Sequence, residues 1–211
     1  INYIRIRIWN DPFNADGKTY GGGGNDVSTG VEIAKEAAQY DMKVLLDFHY
    51  SDFWAEPAVQ LVPKAWKKDV NNTEKMCSDV YDFTKESIQK FKDAGANIGM
   101  VQVGNEITNG LLGIYSNRDK GESFNVIWGD KKKSTEVNKY LKAGIKAVRE
   151  YTPQALVALH LETPNVWKYK TIMNTWKRDN VDYDVLGSSY YPFWSIAAKA
   201  NTPKTLKDVQ T

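Results

Sequence analysis

Five short apolar runs, each followed by a helical pattern, constrain this 211-residue chain more than any other feature. The runs fall at residues 2–9, 43–49, 99–105, 155–161 and 183–189. Apolar residues at helical spacing follow at 29–40, 73–94, 135–151 and 166–178, and a last helix is expected to start near Thr205. Strands separated by helices pair in parallel through right-handed crossovers. Such units build either an open doubly wound sheet or part of a closed barrel. The polar residues inside the strands decide between them. Arg5 with Arg7, Asp47 with His49, Gln102 with Glu106, and His160 with Glu162 each share one face by period-two alternation. A sheet covered by helices on both sides has little room for a polar face, whereas a barrel interior has room near its top. The expected fold is therefore α/β, a (β/α)8 TIM barrel that is incomplete in this chain, with about five parallel strands.

Local punctuation sets the expected boundaries. Thr29-x-x-Glu32 reads as a capping box that opens the first helix. Gly95 suits the end of the second, and Pro153 stops the third. Lys131-Lys132-Lys133, the only basic run, reads as a solvated loop. The four glycines at 21–24 lack the Gly-Lys-Ser/Thr ending of a phosphate cradle and read as a flexible loop.

Chemistry concentrates where strand-like runs end. Val101-Gln102-Val103-Gly104-Asn105-Glu106 is apolar until it stops in an amide and a carboxylate. Catalytic groups of strand–helix barrels sit at the carboxyl ends of strands, so Glu106 is the leading candidate for a general acid/base, with Asn105 beside it. Asp47 and His49 place two titratable groups at another strand end, suited to substrate positioning or to tuning that acid. Arg5 and Arg7 lie on the first strand, where a buried guanidinium needs a carboxylate partner; Asp47 is the expected one, unless the partner lies outside the chain. His160 ends the fourth strand. Tyr190 or Tyr191 could orient a catalytic carboxylate, and Trp54 and Trp194 could stack on sugar rings. A rival reading groups Asp47, His49 and His160 around a metal ion in a metal-dependent barrel hydrolase.

Composition removes other classes. The net charge of +2 is spread among interspersed acids and bases, so neither nucleic acid nor an anionic membrane is an expected partner. The single cysteine, Cys77, excludes an internal disulfide or a cysteine zinc cluster and falls on an apolar helical stripe. Seven Trp and twelve Tyr, many in loops, suit sugar faces and equally suit ordinary interfaces.

Residues 2–12 (NYIRIRIWNDP), 43–57 (KVLLDFHYSDFWAEP), 100–107 (MVQVGNEI) and 187–194 (GSSYYPFW) together resemble glycoside hydrolase family 53, the arabinogalactan endo-β-1,4-galactanases. The likeness runs the length of the chain, with the four motifs in the family's order. It implies a secreted, retaining hydrolase of pectic β-1,4-galactan that needs no cofactor or metal in this segment and is a monomer when full length. On that resemblance Glu106 matches the acid/base and Asn105 the residue that holds the sugar 2-hydroxyl. Arg5 or Arg7 matches the arginine of the second barrel strand. Asp47 and His49 match a third-strand cluster, Trp54 a groove tryptophan, and Tyr190 or Tyr191 the sixth-strand tyrosine. The nucleophile of the family is a Glu ending the seventh strand, which is expected beyond Thr211. Residues 1–211 thus read as a partial catalytic barrel lacking strand 1 and strands 7–8, with any calcium site in the missing part. Glu162, on the fifth barrel strand, is not a replacement nucleophile by topology. The alternative from another class is a non-catalytic carbohydrate-binding barrel fragment.

Overall fold

The computed structural model describes residues 1–194 and 202–210, with the backbone alone at Trp194. From the start of the chain come β1 (Tyr3–Ile8), α1 (Val27–Ala38), β2 (Lys43–Phe48), α2 (Thr73–Asp93) and β3 (Ile98–Val103). A small hairpin of β4 (Gly110–Leu111) and β5 (Ile114–Tyr115) follows, then α3 (Asn125–Trp128) and α4 (Lys131–Tyr151). The described chain ends with β6 (Leu156–Glu162), α5 (Val166–Arg178), β7 (Val185–Ser189) and α6 (Pro203–Gln210).

β1, β2, β3, β6 and β7 form one parallel sheet in the order in which they occur in the chain. A doubly wound sheet reverses its strand order at a switch point; this one does not, which is the arrangement of a barrel arc. Alternation along the strands divides the residues between two faces. Ile6, Ile8, Val44, Leu46, Phe48, Val101, Val103, Val157, Leu159 and Leu161 are buried beneath the helices. The opposite face carries the polar set. Arg7 pairs in register with Asp47, Asp47 with Gln102, and Gln102 with Ala158. The helices close over the apolar face with Ala34, Val80, Ile88, Phe91, Leu141, Val148, Ile172 and Trp176. Each large aliphatic buried there contributes about 1.5–3 kcal/mol relative to exposure. Gly144 on α4 lets that helix approach β3 closely, since a Cβ there would lie 2.9 Å from Val103 Cγ1 and 2.6 Å from the Tyr50 hydroxyl.

Several boundaries differ from those expected. α1 starts at Val27, two residues before Thr29, because Asp26 is the N-cap and accepts from the Ser28 N–H; Thr29 Oγ1 also donates to Asp26 Oδ1 at 2.6 Å. Lys131–Lys133 is not a loop. It forms the first turn of α4, where Asp130 accepts from the N–H groups of Lys132 and Lys133. Burial holds none of these lysines in a core, so the first turn carries no apolar signal. β3 stops at Val103, two residues before the expected end, and α6 starts at Pro203. Cys77 is half-buried on α2, and burial, helped by the charge of Glu74, pushes its thiol up to about 11, which suits inert packing.

Candidate active site

The end of β3 builds the site. Gly104 N–H donates to Phe48 O at 3.0 Å, and Gly104 then turns with φ 83°. A side chain at 104 would be strained in that region and would meet Ile107 Cγ2 at 2.7 Å. Glu106 also adopts the left-handed conformation, with φ 47°, which is uncommon for a residue with a Cβ. The chain thus folds over its own strand end and presents Asn105 and Glu106 at the carboxyl edge of the sheet.

Beneath them lies a closed polar network. Asp47 is fully buried. Its Oδ2 pairs with Arg5 Nη2 at 2.9 Å and with His49 Nε2 at 3.1 Å, and its Oδ1 accepts from Gln102 Nε2 at 2.5 Å. His49 Nδ1 in turn accepts from the Ala55 N–H at 3.1 Å, so the ring proton sits on Nε2 and points at Asp47. Arg5 Nη2 also reaches Gln102 Oε1 at 3.2 Å and Asn105 Oδ1 at 2.8 Å. Asn105 Nδ2 donates to Ala55 O at 2.8 Å, and Gln60 Nε2 donates to Asn105 O at 2.9 Å. Burying a charge without partners costs several kcal/mol; here Asp47 has partners at both oxygens, and the network fixes the orientation of Asn105.

Glu106 sits above this frame, half-buried. Burial raises its pKa above the ordinary carboxylate value, and the charges of Glu162 and Glu56 push the same way. The Ser189 hydroxyl, donating to Glu106 Oε1 at 2.5 Å, and the charge of Arg5 oppose the rise. His160 is driven the other way. Burial, with the charge of Arg5, lowers it to about 4, so its imidazole is neutral at ordinary pH. A carboxyl that holds its proton more tightly than an ordinary carboxylate, beside a neutral histidine, is suited to general acid catalysis.

Arg5, Arg7, Trp54, Asn105, Glu106, His160, Ser189 and Tyr191 line one cleft of about 220 Å³. Trp54 is 41% exposed and stacks beneath the Arg7 guanidinium, whose carbon lies 4.3 Å from the ring centre. Its edge contacts with Trp9 and His49 pin the indole at the cleft wall. Tyr191 lines the cleft and is largely exposed, whereas Tyr190 is half-buried and does not line it. The side chain of Trp194 lies outside the described residues. A larger surface cleft, about 540 Å³ between the starts of α2 and α4, is lined mainly by lysines, threonines and Glu136, and gathers no comparable network.

The residues read from sequence therefore fall into three groups. Arg5, Asp47, Asn105, Glu106 and His160 are joined by direct bonds or shared partners. Arg7, Trp54 and Tyr191 join them in the cleft, while His49 stands behind Asp47. Tyr190 is not brought into the cleft. Four further residues act here that sequence reasoning did not single out as site residues: Ser189, Gln102, Gln60 and Glu56. Gln102 was visible on the polar face of its strand; Gln60 and Glu56 lie in a loop without a pattern. The three-residue metal grouping of Asp47, His49 and His160 is not formed. His49 is committed to Asp47 and Ala55, and His160 to the Glu106 N–H and to Ser189 Oγ. Among the described residues no three His, Cys, Asp or Glu side chains are grouped to hold a metal ion. Also among them, no helix is long and apolar enough to cross a membrane.

Comparison with known proteins places this geometry. A family model described as Glycosyl hydrolase family 53 matches residues 1–211. The endo-beta-1,4-galactanase of Bacillus subtilis (strain 168) is 46% identical over 195 residues, which cover 92% of this chain and 41% of the relative. An arabinogalactan endo-beta-1,4-galactanase from Cellvibrio japonicus (strain Ueda107) is 32% identical, covering 98% of this chain and 51% of the relative. The solved Ignisphaera aggregans GH53 catalytic domain superposes with a TM-score of 0.80 at 34% identity, over 92% of this chain and 50% of that one. The chain spans about half the length of the relatives it matches. Its parallel strands and covering helices are part of a (β/α)8 barrel.

Proposed function

Since the chain belongs to glycosyl hydrolase family 53, we propose that it is part of an endo-acting galactanase that cleaves β-1,4-galactosidic bonds in pectic (arabino)galactan. Glu106 is the acid/base. The observation that carries this reading is the position of Glu106: a half-buried carboxyl with a raised pKa, at a barrel strand end, over a network that fixes its neighbour Asn105. As the acid, Glu106 gives its proton to the glycosidic oxygen as the bond to the anomeric carbon breaks. As the base, it then takes a proton from the water that releases the sugar. Asn105 has a second Nδ2 hydrogen beyond the one given to Ala55, which suits it to hold the sugar 2-hydroxyl. Trp54, steadied by Arg7, offers a flat apolar face for a galactose ring. Tyr191 and Arg7 complete the substrate-facing wall.

The retaining mechanism needs a second carboxylate about 5–5.5 Å from the first to attack the anomeric carbon. Glu162 is a poor candidate, because its Oε1 is tied to Lys168 Nζ at 3.0 Å. We place the nucleophile outside the 211 residues, so this chain alone is expected not to turn over galactan. Galactan release by the isolated chain would overturn that placement. The full-length enzyme is taken to work as a secreted monomer, since a polymeric substrate is met outside the cell. The decisive test is Glu106→Gln in the full-length protein. Hydrolysis should fall by about 10³-fold with galactan binding retained. Undiminished hydrolysis in the variant would refute the assignment of Glu106, whereas galactan binding without hydrolysis by the unaltered full-length protein would leave the carbohydrate-binding reading.

A further inference from the structure

We propose that His160 and Ser189 act as positioning residues that fix which oxygen of Glu106 carries its proton, keeping it on Oε2, the oxygen left to the cleft. The inference rests on the reading of Glu106 as acid/base and adds the arrangement of hydrogens behind it.

The argument follows the hydrogen bonds outward from Asn105. Asn105 Nδ2 donates to Ala55 O, which fixes Oδ1 as the acceptor end of the amide. That oxygen accepts from Arg5 Nη2 at 2.8 Å; Gln102 Nε2 lies 3.1 Å away, but its two hydrogens have nearer acceptors in Asp47 Oδ1 at 2.5 Å and Gly104 O at 3.0 Å. Its other lone pair faces His160 Nδ1 at 2.9 Å, so the tautomer is decided by the Glu106 N–H, whose hydrogen is held in the peptide plane and lies on that same nitrogen. The Glu106 N–H does need an acceptor, because a buried main-chain donor left alone is costly. Among the described residues it finds one in His160 Nδ1, at 3.2 Å. Nδ1 is therefore the bare nitrogen. The ring is neutral, so its one proton sits on Nε2, 3.0 Å from Ser189 Oγ. With the imidazole donating into Ser189 Oγ, the serine's own proton turns to Glu106 Oε1. An oxygen that accepts from Ser189 does not hold the carboxyl proton, which leaves Oε2; among the described residues no group bonds to Oε2.

The chain begins and ends on the same residue, from the Glu106 N–H through His160 and Ser189 back to Glu106 Oε1. It draws on three elements: the β3 end, β6 and β7. The other groups that bear on Glu106 are Arg5 from β1, Glu56 from the β2–α2 connection, and Glu162 at the end of β6. None of them replaces the serine hydroxyl at Oε1. The same bond steadies the carboxylate once the proton has been given up, so the chain serves both halves of the reaction.

Two measurements on the full-length protein test this. In uniformly ¹⁵N-labelled protein, the His160 imidazole should show a neutral ring protonated on Nε2 across the working pH range. Ser189→Ala should move the basic limb of the kcat/KM profile upward by roughly one pH unit and lower the maximum by about tenfold, while Ser189→Thr should restore both. A merely structural serine would not move the limb. A ring protonated on Nδ1, an imidazolium, or an unmoved basic limb in Ser189→Ala would each overturn the inference. Glu106→Gln serves as the separate control. If that variant stays active, the reading of the site fails; if it is inactive and the limb of Ser189→Ala stays put, only the present inference fails.

Discussion

Asp47 and Glu106 are carboxylates at neighbouring strand ends of the same barrel arc, and they have been given opposite surroundings. Asp47 is fully buried and bonded at both oxygens, by Arg5, His49 and Gln102. Glu106 is half-buried and has one hydroxyl bonded to one oxygen. The first arrangement leaves nothing for a substrate to change. The second leaves an oxygen and a proton available, in surroundings that make the charged form expensive. A site that needs one fixed charge and one exchangeable proton obtains both from the same residue chemistry by supplying partners to one and withholding them from the other.

The largest expected effect comes from removing the exchangeable proton. Glu106→Gln, which should lower hydrolysis by about 10³-fold, should also raise the melting temperature near neutral pH. The folded pKa of Glu106 lies above its unfolded value, so above that value ionisation costs the folded state stability; the amide removes the cost. Calorimetry of the full-length variant checks the sign. A lower melting temperature would mean that Glu106 is held as Asp47 is, and the contrast would fall.

Asp47→Asn attacks the other side of the comparison. It takes the countercharge from Arg5 and forces a poor match on Gln102 or His49. Arg5 is partly exposed, with 44% of its side-chain surface accessible, so water recovers some of the loss. Destabilisation of about 3 kcal/mol by denaturant titration is expected. Activity should fall by roughly 10–100-fold as Asn105 loses its orientation. An active, stable Asp47→Asn would show that Asn105 is positioned by Ala55 and Gln60 alone.

Much of this site could be read before any coordinates. The alternation that set Arg5, Asp47, Gln102 and His160 on one face is the same alternation that lines the barrel, and a strand that stops in Asn105-Glu106 announces its end. What stayed hidden had physical reasons. Ser189 ends β7 with no charge or periodicity to mark it, and its role exists only because β6, which pairs His160 with Gly187 and Glu162 with Ser189, brings His160 Nε2 within 3.0 Å of the serine hydroxyl. Tyr190 and Tyr191 are adjacent in sequence, so spacing could not say which would reach the cleft. The Asp26 cap was masked by a second capping pattern three residues later, at Thr29 and Glu32, which lies within the helix instead. The first turn of α4 consists of three lysines, so its helix is specified by the Asp130 cap rather than by an apolar stripe. α3 and the β4–β5 hairpin are too short to show a period.

His160 sharpens the contrast at the smallest scale, because it should record burial as a pH dependence of folding. Its folded pKa, about 4, lies below the ordinary value of 6.5. The unfolded chain therefore binds a proton on this ring more readily than the folded one, and stability is held above pH 6.5 and lost as the pH falls toward 4. The expected loss over that window is about 2–3 kcal/mol. Asp179 and Asp184, whose pKa values are lowered by their arginine partners, lose their contributions only at lower pH, below the ordinary aspartate value, so the two processes separate. His160→Gln should flatten the upper window while leaving the lower one intact, as read by denaturant midpoints at several pH values. An unchanged slope between pH 6.5 and 4 would mean that His160 takes up its proton in place. The ring would then donate from both nitrogens, and the division between a charged frame and a neutral, proton-holding rim would no longer describe the site.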